Sequence, residues 1–419
     1  MRLTRPCLLL VAPPYSYRIA AYAAAAEGLG VRLLVASEGE HSLVGGVVDG
    51  LHLRLGDPDA ARGLAAAAKG LGCVAVVATD DATVELASSV ARLLGRRHNP
   101  IHAVRLSRRK DLARAALAAA GLPVPAFRVL HIDRPLPPQI QGVVYPAVVK
   151  PVALSGSRGV IRVDSEAELL AAAQRLVPIL SEVAAPEERA RLLLEGFLPG
   201  PEVAVEGLLD EGRLHVLAFF DKPDPLDGPY FEETYYVTPS RLAPELQRRV
   251  VRRVEEACRA YGLAQGAVHA ELRLSGGEAW VLEVASRTIG GQCARLLRFG
   301  TGRGLEDLVL AQAAGLALDL APTDGAGGVL MIPTPAAGIL RRVEGVLAAR
   351  RVPYIEEVEI SVREGYRLVP LPEGSTYLGF VFARAPTPDL AEQALREAHA
   401  RLRVVTAPLL AAGGASGRG

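Results

Sequence analysis

The sequence predicts an α/β protein whose first domain is a doubly wound parallel sheet. Short apolar runs of strand length recur early, "PCLLLVA" at 6–12, "VRLLVAS" at 31–37 and "CVAVVAT" at 73–79, and a helical stretch at 19–28 separates the first two. Strand–helix–strand order of this kind feeds a parallel sheet. A different pattern follows later. "GAVHAELRLSGGEAWVLEVASRTIGG" at 266–291 reads as two strands joined by a tight turn at Ser275, Gly276 and Gly277.

Composition bounds the function. The chain has 419 residues, 50% of them hydrophobic, enough for roughly two to four domains. A net charge of +1 leaves no electrostatic footprint for nucleic acid or an anionic membrane. No apolar stretch reaches the roughly 18 residues of a membrane span, and the run at 7–12 is too short for a signal-peptide core. Cys7, Cys73, Cys258 and Cys293 form no CxxC pair, so neither a zinc site nor a disulfide framework is indicated. A cytoplasmic setting is expected.

In chain order, the first sheet would gather its ligands at the carboxyl ends of its strands. No GxGxxG is present, and Asp80 and Asp81 follow the third strand. They are open to two readings, a ligand contact or the N-cap of the helix that follows. "RKDLARAALAAAGLPVPAFRVL" at 109–130 is a helix, a glycine stop and a proline-flanked entry into a strand. In "YPAVVKPVALSGSRGVIRV", Lys150 ends a strand and Ser155, Gly156, Ser157, Arg158 and Gly159 form a small loop before the next. Such a loop can bring backbone N–H groups to phosphate oxygens, although many hairpins hold two glycines. "RLLLEGFLPGPEVAVEGLLDEG" is two strands around the bend Glu195, Gly196, Phe197, Leu198, with Glu202 opening the second. Alone it reads first as a strand connector with solvated acids.

The 266–291 hairpin poses a physical problem. Counting outward from Gly277 sets Glu271 opposite Glu283; His269, Glu271 and Arg273 share one face, and Val281, Glu283 and Ala285 share a face of the partner strand. Like charges about 4 Å apart at an effective dielectric near 20 repel by roughly 4 kcal/mol. Lysine usage is also informative. Of 47 basic residues only Lys69, Lys110, Lys150 and Lys222 are lysine, and the single asparagine is Asn99. Where arginine is the rule, a surviving lysine marks either chance or a place where a compact point charge is needed.

Taken in order, a lysine before a helix, a lysine at a strand end with a Gly/Ser loop, "LEGFLPGPE" and a paired-glutamate hairpin closing on Arg287 resemble the ATP-grasp superfamily over roughly residues 100–320. The segments "GGQCARLLRFGTGRGLEDLVLAQAAG" and 338–404 resemble its bacterial L-amino-acid ligase branch, the carboxylate–amine ligases. The resemblance implies an ATP-grasp fold, α/β with an α+β lid, made of a doubly wound parallel-sheet N-terminal domain (1–100), an ATP-grasp domain (101–325) with a lid at about 125–200, a small C-terminal α+β domain (326–407) and a flexible tail (408–419). It implies ATP and Mg²⁺, with Mn²⁺ as an alternative, small-molecule carboxylate and amine substrates, no nucleic acid or membrane partner, and a homodimer as one assembly state.

The resemblance also implies roles. Lys110 and Lys150 would contact the nucleotide, and residues 155–160, ending at Val160, would cover its phosphates. Glu195, Gly196, Phe197 and Leu198 would meet adenine through their backbone, and Glu202 the ribose. Glu271 and Glu283 would bind the metal, which would resolve the opposed charges. Arg287 and Lys150 would be catalytic. Asp81, Glu233, Tyr236, Arg287 and Gly290 would line the substrate site, with the turn 288–291 presenting N–H groups. One departure stands out: Ala285 occupies a position where many relatives carry asparagine, leaving Ser286, bidentate glutamate or water to compensate. Formyl or carboxyl transfer, and ATP binding without turnover, are the competing functions.

Overall fold

The computed structural model describes residues 5–14, 16–38, 49–52, 54–318, 320 and 324–409; the expected tail lies almost wholly outside them. The N-terminal sheet is parallel, in the order Asp49–His52, Arg32–Ser37, Cys7–Val11, Cys73–Ala78. Its central strand is buried on both faces, which is why it reads as an unbroken apolar run. Leu8 and Leu10 pack with Tyr22, Ala25 and Ala26 of helix Ile19–Leu29 and with helix Leu305–Ala314. Cys7, Leu9 and Val11 pack on the opposite side with Leu64 and Ala68 of helix Ala60–Gly70 and Val90 of helix Val84–Leu93. The first helix passes Gly28 and stops at Gly30, whose φ of 67° supplies the left-handed cap. Neither Asp80 nor Asp81 caps helix Val84–Leu93; its N-cap position is Thr83.

The largest sheet is antiparallel, in the order Glu278–Ala285, Gln265–Ser275, Glu202–Asp210, Arg213–Lys222, Tyr235–Thr238, Ala326–Ile332, Gly379–Ala385, Ile355–Ile360. It runs through residue 326, because Tyr235–Thr238 pairs directly with Ala326–Ile332. The C-terminal segment therefore extends the sheet that carries the hairpin. A smaller sheet and helix Pro388–Arg401 cover that end. The expected lid is a second antiparallel sheet, Phe127–His131, Arg191–Gly196, Ala147–Pro151, Ile161–Val163, backed by helix Glu166–Ser181.

Strand alternation gives the large sheet two chemically different faces. Val203, Val205, Leu209, Val268, Ala270 and Leu272 face Val250, Val254 and Tyr261 of helix Pro244–Tyr261. Their neighbours Glu202, Glu206, His269, Glu271 and Arg273 fall on the other face, where the register sets His269 beside Glu206 and Arg273 beside Glu202.

The hairpin register corrects one expectation. The turn is two residues, Gly276 and Gly277 at φ 59° and 79°, with Ser275 opposite Glu278 and Leu272 opposite Val281. A bulge between Glu271 and Leu272 then restores Glu271 opposite Glu283. One extra residue flips the face, so Val281 joins the helix-side core while Glu283 and Ala285 do not. Among the described residues no helix is long and apolar enough to cross a membrane.

Asn99 ties the first domain to this sheet. Its Oδ1 accepts the N–H groups of Ala264 (2.8 Å) and Gln265 (2.9 Å), and its Nδ2 donates to the Gln265 carbonyl (2.8 Å). Asn99→Ala should lower unfolding free energy by about 2 kcal/mol, from loss of hydrogen bonds worth about 1 kcal/mol each net. Urea unfolding checks this; a change below about 0.5 kcal/mol would show that the bonds contribute little.

Candidate active site

A cavity of about 890 Å³ opens where the N-terminal strand ends, the lid, the polar face of the large sheet and the C-terminal strands meet. Every residue expected at the site lines it except Thr288 of the turn 288–291 and, in the loop, Arg158 and Gly159. Those two turn outward: Arg158 donates to the Glu373 carbonyl (2.7 Å) and pairs with Glu182 (2.6 Å), while the Gly159 N–H donates to the Pro372 carbonyl (2.9 Å). The loop 155–160 is thus seated on the C-terminal segment with only Ser155, Gly156, Ser157 and Val160 facing inward. Gly159 has φ 74°, and a Cβ there would fall 2.8 Å from Pro151 Cγ, so the position accepts only glycine without rearrangement.

At the lid end, Lys150 pairs with Glu195, whose other oxygen takes the Arg114 guanidinium at 2.7 Å. Burial favours the neutral carboxyl, but Arg114 and Lys150 outweigh it and hold Glu195 at about 2. Burial pushes Lys150 down, only partly opposed by Glu195. Lys110 bridges the Leu154 carbonyl (2.7 Å) and Glu283 (3.1 Å). The bend offers fewer backbone donors than expected. Gly196 N–H is taken by the Ala126 carbonyl and Phe197 N–H by the Pro146 carbonyl, at 2.9 and 3.0 Å. Leu198 N–H has no backbone partner among the described residues.

Glu271 and Glu283 do face each other, but each already has a cation. The acidic groups that come together, with oxygens within 4.8 Å, are Glu202, Glu233 and Glu271. Lys222 reaches in from the neighbouring strand with its ammonium 2.6, 2.7 and 2.9 Å from them. Burial opposes that charge, yet the three carboxylates raise Lys222 well above its ordinary value. Glu233 is also raised: burial and then Glu271 push it up to about 7, against Lys222. Arg273 completes the cluster, pairing with Glu202 (3.1 Å) and donating to the Leu198 carbonyl (2.7 Å). Ala285 is fully buried, and the Ser286 hydroxyl is hydrogen-bonded to that of Ser107 at 2.8 Å.

Arg287 pairs with Asp81 at 2.9 Å. Burial raises the Asp81 carboxyl, but Arg287 more than offsets it and the net shift is downward. Tyr236 donates to Glu233 at 2.8 Å. The turn 288–291 is braced by Arg18, which donates to Thr288 Oγ1 (3.2 Å) and the Ile289 carbonyl (3.1 Å). Its N–H groups are not all free for a substrate: that of Ile289 donates to buried Glu206 at 3.2 Å.

Sequence reasoning missed Arg18, Arg114, Glu206 and Arg273. Arg18 lay in a loop with no motif, and Arg114 in an alanine-rich helix. Glu206 and Arg273 carried a usable signal, since each sits an even number of residues from Glu202 or Glu271 on the same strand.

The chain matches an ATP-grasp domain model over residues 143–295 and an L-amino acid ligase C-terminal domain 2 model over residues 330–407. It is 30% identical over 226 residues to a D-alanine–D-alanine ligase of Geotalea uraniireducens, covering 51% of this chain and 68% of that protein. It is 25% identical over 232 residues to an alanine–anticapsin ligase of Bacillus amyloliquefaciens, covering 52% of this chain and 48% of that one. A crystal structure of an L-amino acid ligase from Bacillus licheniformis superposes with a TM-score of 0.80 at 25% identity, covering 96% of this chain and 99% of the other. The chain belongs to the ATP-grasp family. Within it, the C-terminal domain is of the L-amino acid ligase type. The match spans 59% and 63% of the first two curated relatives, less than two thirds of either.

Glu195 generates a pH prediction. Its carboxyl lies near 2 in the fold against an ordinary 4.5, so its pairing stabilises above pH 4.5 and is lost as pH falls toward 2. The gap in unfolding free energy between wild type and Glu195→Gln should be on the order of 3 kcal/mol at pH 7 and narrow below pH 4.5. A gap constant with pH would rule out the ion pair as its source.

Proposed function

We propose that the protein is an ATP-dependent ligase that joins a small carboxylic acid, an amino acid or a close relative, to an amine. The observation that carries this is the single cavity in which Lys110 and Lys150 stand at the lid end, Glu271 and Glu283 oppose each other, and Arg287 sits between Asp81 and the turn 288–291.

Lys110 and Lys150 bind the nucleotide phosphates and the inward half of loop 155–160 covers them. Leu198 offers its N–H to the base and Glu202 its carboxylate to the ribose. Lys222, lodged beneath the cavity wall, holds Glu202, Glu233 and Glu271 together. Two hard carboxylate oxygen donors suit Mg²⁺, which takes one or two carboxylates together with substrate phosphates, so Glu271 and Glu283 fit it. Bound there, the metal would neutralise phosphate charge.

The substrate carboxylate attacks the γ-phosphorus, the bond to the ADP oxygen breaks, and an acyl phosphate forms. Amine nitrogen then attacks the acyl carbon, loses a proton, and phosphate leaves. Arg287 lies where both the transferred phosphoryl group and the tetrahedral oxyanion carry charge. Glu233, with Tyr236 on its carboxylate, faces the substrate ammonium. The closed loop excludes water from the acyl phosphate.

Screening paired amino acids for ADP release tests the reading. With an active acid and ATP, hydroxylamine in place of the amine should yield a hydroxamate; ATP binding with no ADP release for any pair would favour a non-catalytic protein. Arg287→Ala should lower kcat by about 10² or more with ATP affinity changed far less. Glu283→Gln should abolish turnover without unfolding, read by circular dichroism; full activity at saturating magnesium would remove Glu283 from the metal site.

A further inference from the structure

A buried line of hydrogen bonds joins Glu271 to the turn that follows Arg287. Glu271 Oε1 lies 3.2 Å from His269 Nε2, and His269 Nδ1 lies 3.2 Å from Glu206 Oε2. The other Glu206 oxygen accepts the Ile289 N–H at 3.2 Å. Glu206 is 0% exposed and so has no access to water, while His269, 5% exposed, lies between it and the cavity wall. The Ile289 carbonyl is held from the opposite side by Arg18 at 3.1 Å.

The strand register builds this line. Glu206 and His269 are direct cross-strand neighbours, and Glu271 is the next residue on the same face. Each ring nitrogen of His269 faces one carboxylate oxygen, so the ring bridges the two glutamates. Each glutamate is thereby held in one orientation. A buried acid without its partner would be left with an unmet desolvation cost.

We infer that His269 and Glu206 are positioning residues that couple the orientation of Glu271 to the seating of the turn bearing Arg287. The inference rests on the ligase reading. Partners behind a metal ligand commonly change affinity or activity by about 10–100-fold when removed, and a site held loosely loses rate before it loses binding. His269 lines the cavity wall, and in this scheme it acts through Glu271 on one side and through Glu206 on the other.

Two glutamate variants separate positioning from mere burial. Glu206→Gln keeps an acceptor for Ile289 and gives the ring an amide donor, so a neutral His269 can still donate to Glu271 and the line survives. Glu206→Leu breaks it. Expected is a kcat within about threefold of wild type for Glu206→Gln and about 30-fold or more below it for Glu206→Leu, with the KM for ATP within about twofold in both. His269→Phe should behave like Glu206→Leu and should also weaken Mn²⁺ binding in the presence of a non-hydrolysable ATP analogue about tenfold, measured by calorimetry on the folded protein. Equal damage from Glu206→Gln and Glu206→Leu would overturn the inference. So would His269→Phe with wild-type kcat and wild-type Mn²⁺ affinity. Should no acid yield ADP, the ligase reading fails and the turn half of the inference with it, while the Mn²⁺ titration still decides the Glu271 half. If Glu206→Leu does not fold, His269→Phe and Glu206→Gln carry the comparison.

Discussion

Glu202, Glu233 and Glu271 hold oxygens within 4.8 Å of one another at the cavity wall, and such an array persists only with a cation among its members. Lys222 is that cation, with a side chain 2% exposed and all three carboxylates within 2.9 Å. Removing charge from water is expensive unless partners restore it. Around this centre the same rule repeats: Glu195 between Arg114 and Lys150, Glu283 on Lys110, Asp81 on Arg287, Glu206 and Glu271 on His269. The cavity is a nearly balanced lattice of buried charges, ready to exchange internal partners for a charged ligand.

Three parts of the chain supply that lattice. Asp81 stands at the carboxyl end of a parallel sheet, where an α/β domain ordinarily meets its ligand. Lys150 and Glu195 come from the lid, and the hairpin acids from the large sheet. The lid loop is also fastened to the C-terminal segment, through Arg158 on Glu373 and Gly159 on Pro372, and Arg175 adds an ion pair to Glu373 at 2.5 Å. Opening the lid would therefore break contacts with the segment that supplies Tyr377 and Phe380 to the cavity wall. The proposed nucleotide cover and the C-terminal cavity wall are therefore mechanically joined.

The lysine pattern follows from the same constraint. Lys110, Lys150 and Lys222 all line or underlie the cavity, whereas Lys69 is exposed on the first domain. An ammonium is compact and can meet three acids at once, while a guanidinium needs planar, forked partners. Arginine serves where a planar pair forms, as at Glu195.

Much of this was legible before any coordinates. Apolar runs of strand length marked the parallel sheet, and a count from the glycine turn set Glu271 against Glu283. The count succeeded for that pair through two compensating details, a shorter turn and a bulge, and it misplaced Val281. Local patterning determined which segments are strands and helices, and which residues alternate onto a polar face, because strand and helix periods are properties of the backbone itself. Partnership was decided only by the tertiary structure. Nothing local brings Lys222 to Glu271, Arg18 to Ile289, or Arg114 to Glu195, since each pair joins different strands or domains far apart in sequence. A buried charge takes whichever opposite charge packing sets within reach, and packing is a property of the whole chain.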